Sequence, residues 1–385
     1  MSRISRRAQT VTPFHVMRLM VAAQALEAQG RDIVHMEVGE PDFGTPQPIM
    51  EAAQAALARG DTRYTQARGL PALRQRIAGY YRERFAVEVD ERRILVTPGA
   101  SGALQLAFAA LLDNGDRLAV ADPGYPANAN IARTLGIQLA PIAVSAEQDF
   151  WPTPDQIRAV AADAMLLNTP ANPTGTVLSQ SGCSAIIDAC REAGTALILD
   201  EIYQGLVYGQ PSFTALEMAD DIWVINSFSK YFGMTGWRLG WLIAPQACVD
   251  AVERLAQNLF IASNTLAQHA ALAALDRSTW PLLDQRRDAL QARRDYLLPA
   301  LNDLGFRVLG RPEGAFYLYA EASGLADDAE VLVEDLLHQA GVVATPGVDF
   351  GANGTRSCVR FSYTTSMQRL EEGVARMRSF LSAGS

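Results

Sequence analysis

Between residues 94 and 244, short apolar runs alternate with segments whose apolar positions recur at helical spacing. Seven runs stand out: 94–97, 117–121, 138–144, 165–168, 197–200, 222–226 and 239–244. Several are apolar almost throughout, the pattern of strands buried on both faces. The intervening segments, such as 102–112 and 181–193, carry helical periodicity. This alternation predicts an α/β fold built on a mainly parallel, seven-stranded sheet between helices. After Pro245, residues 250–302 read as mostly helical, and 307–309, 314–319, 342–344 and 358–362 read as strands of a smaller α+β unit. Near the start, Phe14, Met17, Leu19, Met20, Ala23 and Leu26 fit one face of an amphipathic helix that packs on the body. No internal repeat or low-complexity linker interrupts the pattern.

Composition narrows the functional classes. A chain of 385 residues has room for two to three domains, and 49% hydrophobic residues is a globular composition. The net charge of −9 argues against a nucleic-acid surface, which needs a basic face. The four cysteines (Cys183, Cys190, Cys248, Cys358) form no CxxC pair, and the four histidines (His15, His35, His269, His338) none at metal-ligand spacing. A reducing, cytoplasmic setting and a metal-free site are expected. No apolar run approaches the roughly 20 residues that a membrane helix needs. Arg3, Arg6 and Arg7, with no acid before Glu27, faintly suggest a transit peptide. The amphipathic helix is the better reading, and Arg18 breaks any secretory apolar core.

The chemistry concentrates after the run 222–226. There Ser227-Phe228-Ser229-Lys230 is followed by a glycine-rich stretch ending in Arg238-Leu239-Gly240. A lysine at a strand exit can lose its proton in a cleft and form an imine with an aldehyde. A hydroxyl on one side and an arginine on the other suit a phosphate monoester. Aldehyde plus phosphate describes pyridoxal phosphate.

The other candidates also lie at strand exits, where α/β sheets bind ligands. Gly99-Ala100-Ser101-Gly102 opens a helix whose free N–H groups make an anion site. Tyr125, in Asp122-Pro123-Gly124-Tyr125, can lie flat on an aromatic ring, or simply end a turn. Asp200 closes a buried run and needs a donor or cation, such as a protonated pyridine nitrogen. A helix cap is the plainer reading of Asp200-Glu201. Asn172 in 168–175 and Arg360 in 358–363 read in isolation as a turn residue and a strand-edge ion pair.

Taken together, these motifs resemble the class I/II aminotransferases of the aspartate aminotransferase superfamily (fold type I). The likeness runs from about Val38 to about Tyr363. It rests on Ser227, Lys230 and Arg238 in the lysine motif, Asn172-Pro173-Thr174-Gly175, and the terminal Arg360-x-Ser362-Tyr363. The resemblance implies that Lys230 holds the cofactor as a Schiff base and moves the substrate proton. It implies phosphate binding by Ala100, Ser101, Ser227 and Arg238, with Tyr125 stacked on the ring. Asn172 and Tyr203 would hydrogen-bond the ring oxygen, and Asp200 the ring nitrogen. Arg360 and the Gly39 N–H would take the substrate α-carboxylate, with Asn172 beside them. Tyr64 of the partner subunit would reach the phosphate, and Ser263-Asn264 would cross the interface of a homodimer. The implied layout is an N-terminal segment (1–45) folded onto a small domain (279–385), with a large cofactor-binding domain (46–278) between.

The resulting expectation is ping-pong transamination from an L-amino acid to a 2-oxoacid. A carbon–sulfur β-lyase on the same scaffold is the enzyme alternative. A serine hydrolase is the alternative of another class, because Gly99-Ala100-Ser101-Gly102-Ala103 is one residue from a G-x-S-x-G elbow. A regulator would need a DNA-binding head, and no basic domain is present. For the substrate side chain, Arg18, Arg68, Arg311 and Arg356 are the candidate cations. Phe14, Phe316, Tyr317 and Tyr319 are the candidate apolar lining. The expected donors are neutral, aromatic or small amino acids.

Overall fold

The computed structural model describes residues 4–13 and 15–383. Phe14, expected on the amphipathic face and in the apolar pocket, lies outside them. The first strand is β1 (Val34–His35). The large sheet follows: β2 (Ile94–Thr97), β3 (Arg117–Asp122), β4 (Gln138–Ala143), β5 (Ala164–Asn168), β6 (Ala196–Asp200), β7 (Trp223–Ser227) and β8 (Gly240–Ile243). Its order is β2-β8-β7-β6-β5-β3-β4. Alternate residues of each strand bury on opposite faces. Leu95, Leu118, Leu166, Ile198, Ile225 and Leu242 enter one core, and Val96, Ala119, Met165, Leu199, Val224 and Ile243 the other. Burial on both faces is why these runs are apolar almost throughout.

The sheet is parallel except for β8, which runs antiparallel to both β2 and β7. A parallel crossover needs about a dozen residues or more, usually spent on a helix. The link 228–239 instead forms tight turns and a short 3₁₀ segment (Thr235–Trp237), so the chain doubles back beside β7. The same turn carries Lys230 and Arg238 to the carboxyl edge of the parallel strands. Strand order reverses between β5 and β3, so the exits at Asn168–Asn172 and Asp122–Tyr125 flank a switch-point crevice.

A second, four-stranded antiparallel sheet has the order β12-β13-β10-β9. It is formed by β9 (Arg307–Val308), β10 (Tyr317–Glu321), β12 (Thr345–Pro346) and β13 (Cys358–Ser362). The strand expected over 314–319 starts only at Tyr317. Gly314 packs so closely on Pro170 that a Cβ would sit 2.6 Å from that ring. β1 pairs in parallel with β11 (Val342–Val343), tying the start of the chain to its end. Arg293 strengthens the tie with two bonds to Asp42 (2.8 and 3.2 Å) and one to the Thr364 carbonyl (2.8 Å).

The expected N-terminal helix spans His15–Glu27 and buries Leu19 and Ala23. Met17, assigned to the packed face from the sequence, is exposed and lines the mouth of a cavity instead. No helix among the described residues is long and apolar enough to cross a membrane.

Candidate active site

The β7–β8 turn sets Lys230 at the head of a cavity of about 330 Å³. Its Nζ donates to the Gly39 carbonyl (2.8 Å) and lies 5.9 Å from the Tyr203 ring and 5.6 Å from the Phe316 ring. Loss of solvation pulls the amine down to about 8, opposed by Glu40 and reinforced by the nearby Arg360 and Arg238 charges. Such an amine is readily available in its neutral form near physiological pH.

Beside Lys230, helix Gly99–Leu111 begins without any side-chain cap, so its first N–H groups are free to receive an anion. Gly99 takes φ +70, and a Cβ there would lie 2.6 Å from Arg238 Nη2. A Cβ on Gly240 would lie 2.9–3.0 Å from the Gly99–Ala100 peptide. The two glycines therefore let the arginine and the helix terminus converge. Arg238 donates to the Thr235 carbonyl (3.2 Å) and pairs with no carboxylate among the described residues. A helix terminus, Ser101, Ser229 and an uncompensated arginine form a donor set suited to a phosphate.

At the β6 exit, Asp200 is buried and accepts from the Ile202 N–H (3.1 Å). Burial pushes its carboxyl up to about 7, against that hydrogen bond and the Lys230 charge. A buried carboxyl with so little compensation suits a cationic ligand atom. Asn168, paired with Asp200 in the ladder, donates to the Asp200 carbonyl (2.9 Å) and accepts from the Asn172 N–H (3.0 Å), which couples the two exits. Asn172 Oδ1 accepts from Arg360 Nη1 (2.9 Å), and Arg360 Nη2 reaches the Glu37 carbonyl (2.6 Å). The buried Arg360 guanidinium lies 4.3 Å from the Tyr317 ring and 4.7 Å from the Phe350 ring, and its Nε has no hydrogen-bond partner among the described residues.

The cavity thus brings together Gly39, Ala100, Ser101, Tyr125, Asn172, Asp200, Tyr203, Lys230, Arg238 and Arg360, drawn from positions across the chain. A neighbouring cavity of about 420 Å³ lies against the same Tyr125–Asn172 wall.

Several of the other candidate residues lie outside the cavity. Ser227 sits one layer behind the cavity, its hydroxyl 3.0 Å from Ser229 Oγ and 3.1 Å from the Leu239 carbonyl. Ser229 lines the cavity in its place, a position the Ser-x-Ser-Lys pattern could have offered. Tyr64 is 83% exposed and does not line its own protomer's cavity. Ser263 donates to the Val96 carbonyl (3.0 Å), and Asn264 caps helix Thr265–Ala274. Among the described residues of the expected aromatic lining, Tyr317 alone faces the cavity. Phe316 packs edge-on against Tyr203, and Tyr319 against Phe150 and Phe350.

The four candidate arginines are occupied elsewhere. Arg18 pairs with Glu330 and Glu334, Arg68 with Glu253, Arg311 with Asp149 and Arg356 with Asp328. Among the described residues no histidine lines the cavity, so Ser101 has no imidazole beside it of the kind a Ser-His-Asp hydrolase uses.

A lysine, a phosphate cradle and a buried carboxylate around one crevice define a pyridoxal-phosphate enzyme, and the residues present fit that group. The family model for aminotransferase class I and II matches residues 31–377. A valine–pyruvate aminotransferase of Mycobacterium tuberculosis is 37% identical over 98% of both chains. An aspartate/prephenate aminotransferase of Thermus thermophilus is 34% identical over 99% of both. The crystal structure of an aminotransferase from Mycobacterium tuberculosis superposes with a TM-score of 0.96 at 36% identity, over the whole of both chains. The chain belongs to the class I and II aminotransferases. It is a pyridoxal-phosphate-dependent transaminase that exchanges an amino group between amino acids and 2-oxoacids. The lyase and hydrolase readings are not favoured.

Proposed function

We propose that this transaminase acts on neutral amino acids with apolar side chains, using Lys230 as its proton carrier. The observation that carries the reading is that Lys230, Asp200 and Arg360 open on one cavity whose remaining wall is largely apolar. When bound, the cofactor supplies an aldehyde that condenses with amines and a ring that withdraws electrons from the substrate Cα. Ala100, Ser101, Ser229 and Arg238 hold its phosphate, and Tyr125 packs on its ring. Asp200 keeps the ring nitrogen protonated, while Asn172 and Tyr203 donate to the ring oxygen. Arg360 and the Gly39 N–H orient the substrate α-carboxylate. Lys230, freed by the incoming amine, would take the proton from the substrate Cα and deliver it to the cofactor carbon that carried the aldehyde, and would reverse the transfer when the 2-oxoacid enters.

Substrate choice rests on charge and shape. Among the described residues the cations lining the cavity are Lys230, Arg238 and Arg360, each already assigned a role. Val16, Met17, Met20, Leu104, Ile202 and Phe350 supply apolar surface, and methionine adapts to differing shapes. A distal carboxylate would meet no counter-charge there and would stand near Glu37 and Glu40. Single-turnover bleaching of the visible band should therefore be at least about tenfold more efficient with leucine, methionine or phenylalanine than with aspartate. Aspartate or glutamate reacting faster than all three would overturn the preference.

The expected homodimer belongs to this proposal, with the partner subunit's Tyr64 completing each phosphate site. Tyr64 is exposed, as are the apolar side chains of Leu57, Leu259 and Ile261. Sedimentation should return a dimer at working concentration, and a fully active single chain would refute the shared site. We place the division into domains at 1–45, 46–278 and 279–385, supported by the β1–β11 pairing, and the protein in the cytoplasm, supported by four unpaired cysteines.

A further inference from the structure

Tyr317, the first residue of β10, touches more of the site than any role above requires. Its hydroxyl is 3.0 Å from that of Tyr203, and both side chains are buried. Its ring lies 4.3 Å under the Arg360 guanidinium. The same hydroxyl fills the space where a Cβ on Gly39 would stand, and Gly39 holds Lys230 through its carbonyl.

We propose that Tyr317 is a positioning residue that strengthens the Tyr203 hydrogen bond to the cofactor and keeps Arg360 flat for the substrate carboxylate. The inference rests on the roles proposed for Tyr203 and Arg360. A phenol has one proton. Once Tyr203 gives its proton to the ring oxygen, the proton in the 3.0 Å contact must come from Tyr317. A hydroxyl that accepts one hydrogen bond is polarised into a stronger donor for the next. The ring acts separately, because its face attracts the guanidinium and limits its tilt.

Two substitutions separate the two actions. A hydrogen bond to the ring oxygen stabilises its anion, and an oxygen that needs its proton less gives it up at lower pH. Tyr317→Phe keeps the ring and removes the donor. It should raise the pH midpoint of the holoenzyme's visible band by roughly half a unit to one unit. The dissociation constant for 4-methylpentanoate, an unreactive carboxylate used as probe, should stay within about twofold, because the ring remains. Tyr317→Leu removes the ring and should weaken that probe about fivefold or more.

Tyr203→Phe should move the midpoint further in the same direction, and adding Tyr317→Phe to it should produce no additional shift. An unmoved midpoint in Tyr317→Phe, or an equal shift in the Tyr203→Phe background, would overturn the proposed link. Unchanged probe binding in a folded Tyr317→Leu would overturn the Arg360 role. Failure of the underlying cofactor assignment looks different, since the visible band would then be missing from every variant, wild type included.

Discussion

Lys230→Ala loses the visible cofactor band and about four orders of magnitude of turnover, while the chain keeps its fold. The size follows from two functions removed together. The amine that anchors the cofactor is gone, and so is the group that moves the proton at the substrate Cα. The fold survives because Lys230 contributes one hydrogen bond, to the Gly39 carbonyl, and its ammonium is held where solvation is poor. Among the described residues Lys230 makes no direct ion pair, and relief of its poor solvation offsets the support its charge gives Asp200, so the melting temperature should change little. Turnover by purified Lys230→Ala, measured with its circular dichroism and melting curve, checks both halves. Activity close to wild type would remove Lys230 from the mechanism.

Asp200→Asn is expected to retain cofactor yet lose roughly two to three orders of magnitude in turnover, because an amide cannot hold the ring nitrogen in its protonated form. An unchanged rate would make Asp200 a structural residue. The same variant carries a pH signature in the cofactor-free protein. Burial raises the folded-state carboxyl to about 7 from an ordinary 3.8, so between those values the folded chain binds the proton more tightly than the unfolded chain. This contribution to stability is therefore complete below about pH 4 and is lost as pH rises through about 7. Melting temperatures of cofactor-free wild type should fall across that window by more than those of Asp200→Asn. Parallel curves would show that Asp200 does not titrate there.

Much of the site was legible because the reactive groups sit at strand exits, and strands buried on both faces announce themselves as apolar runs. Lys230, Asp200 and Asn172 each follow such a run directly or within a few residues. What could not be read were the jobs of side chains whose partners lie far away in sequence. Ser227 and Ser229 differ by two positions, and only the way β8 folds back beside β7 decides which hydroxyl faces the cavity. Arg18, Arg68, Arg311 and Arg356 looked equally available, yet each meets a carboxylate on another element. Met17 looked like core because its spacing is right, but the helix sits at the cavity mouth and leaves that side chain exposed.

The sequence by itself determined the α/β architecture, the lysine-centred chemistry and the class of cofactor. Those depend on short-range patterns, namely apolar runs, glycine-rich exits and a lysine between hydroxyls and an arginine. The tertiary structure alone decided that β8 runs antiparallel to β2 as well as to β7, that Tyr317 joins Tyr203 to Arg360, and that Arg18, Arg68, Arg311 and Arg356 each meet a carboxylate on another element. Each of these is a contact between residues far apart along the chain. Such contacts are selected by the packing of the whole sheet and its helices, and no local stretch of sequence encodes them.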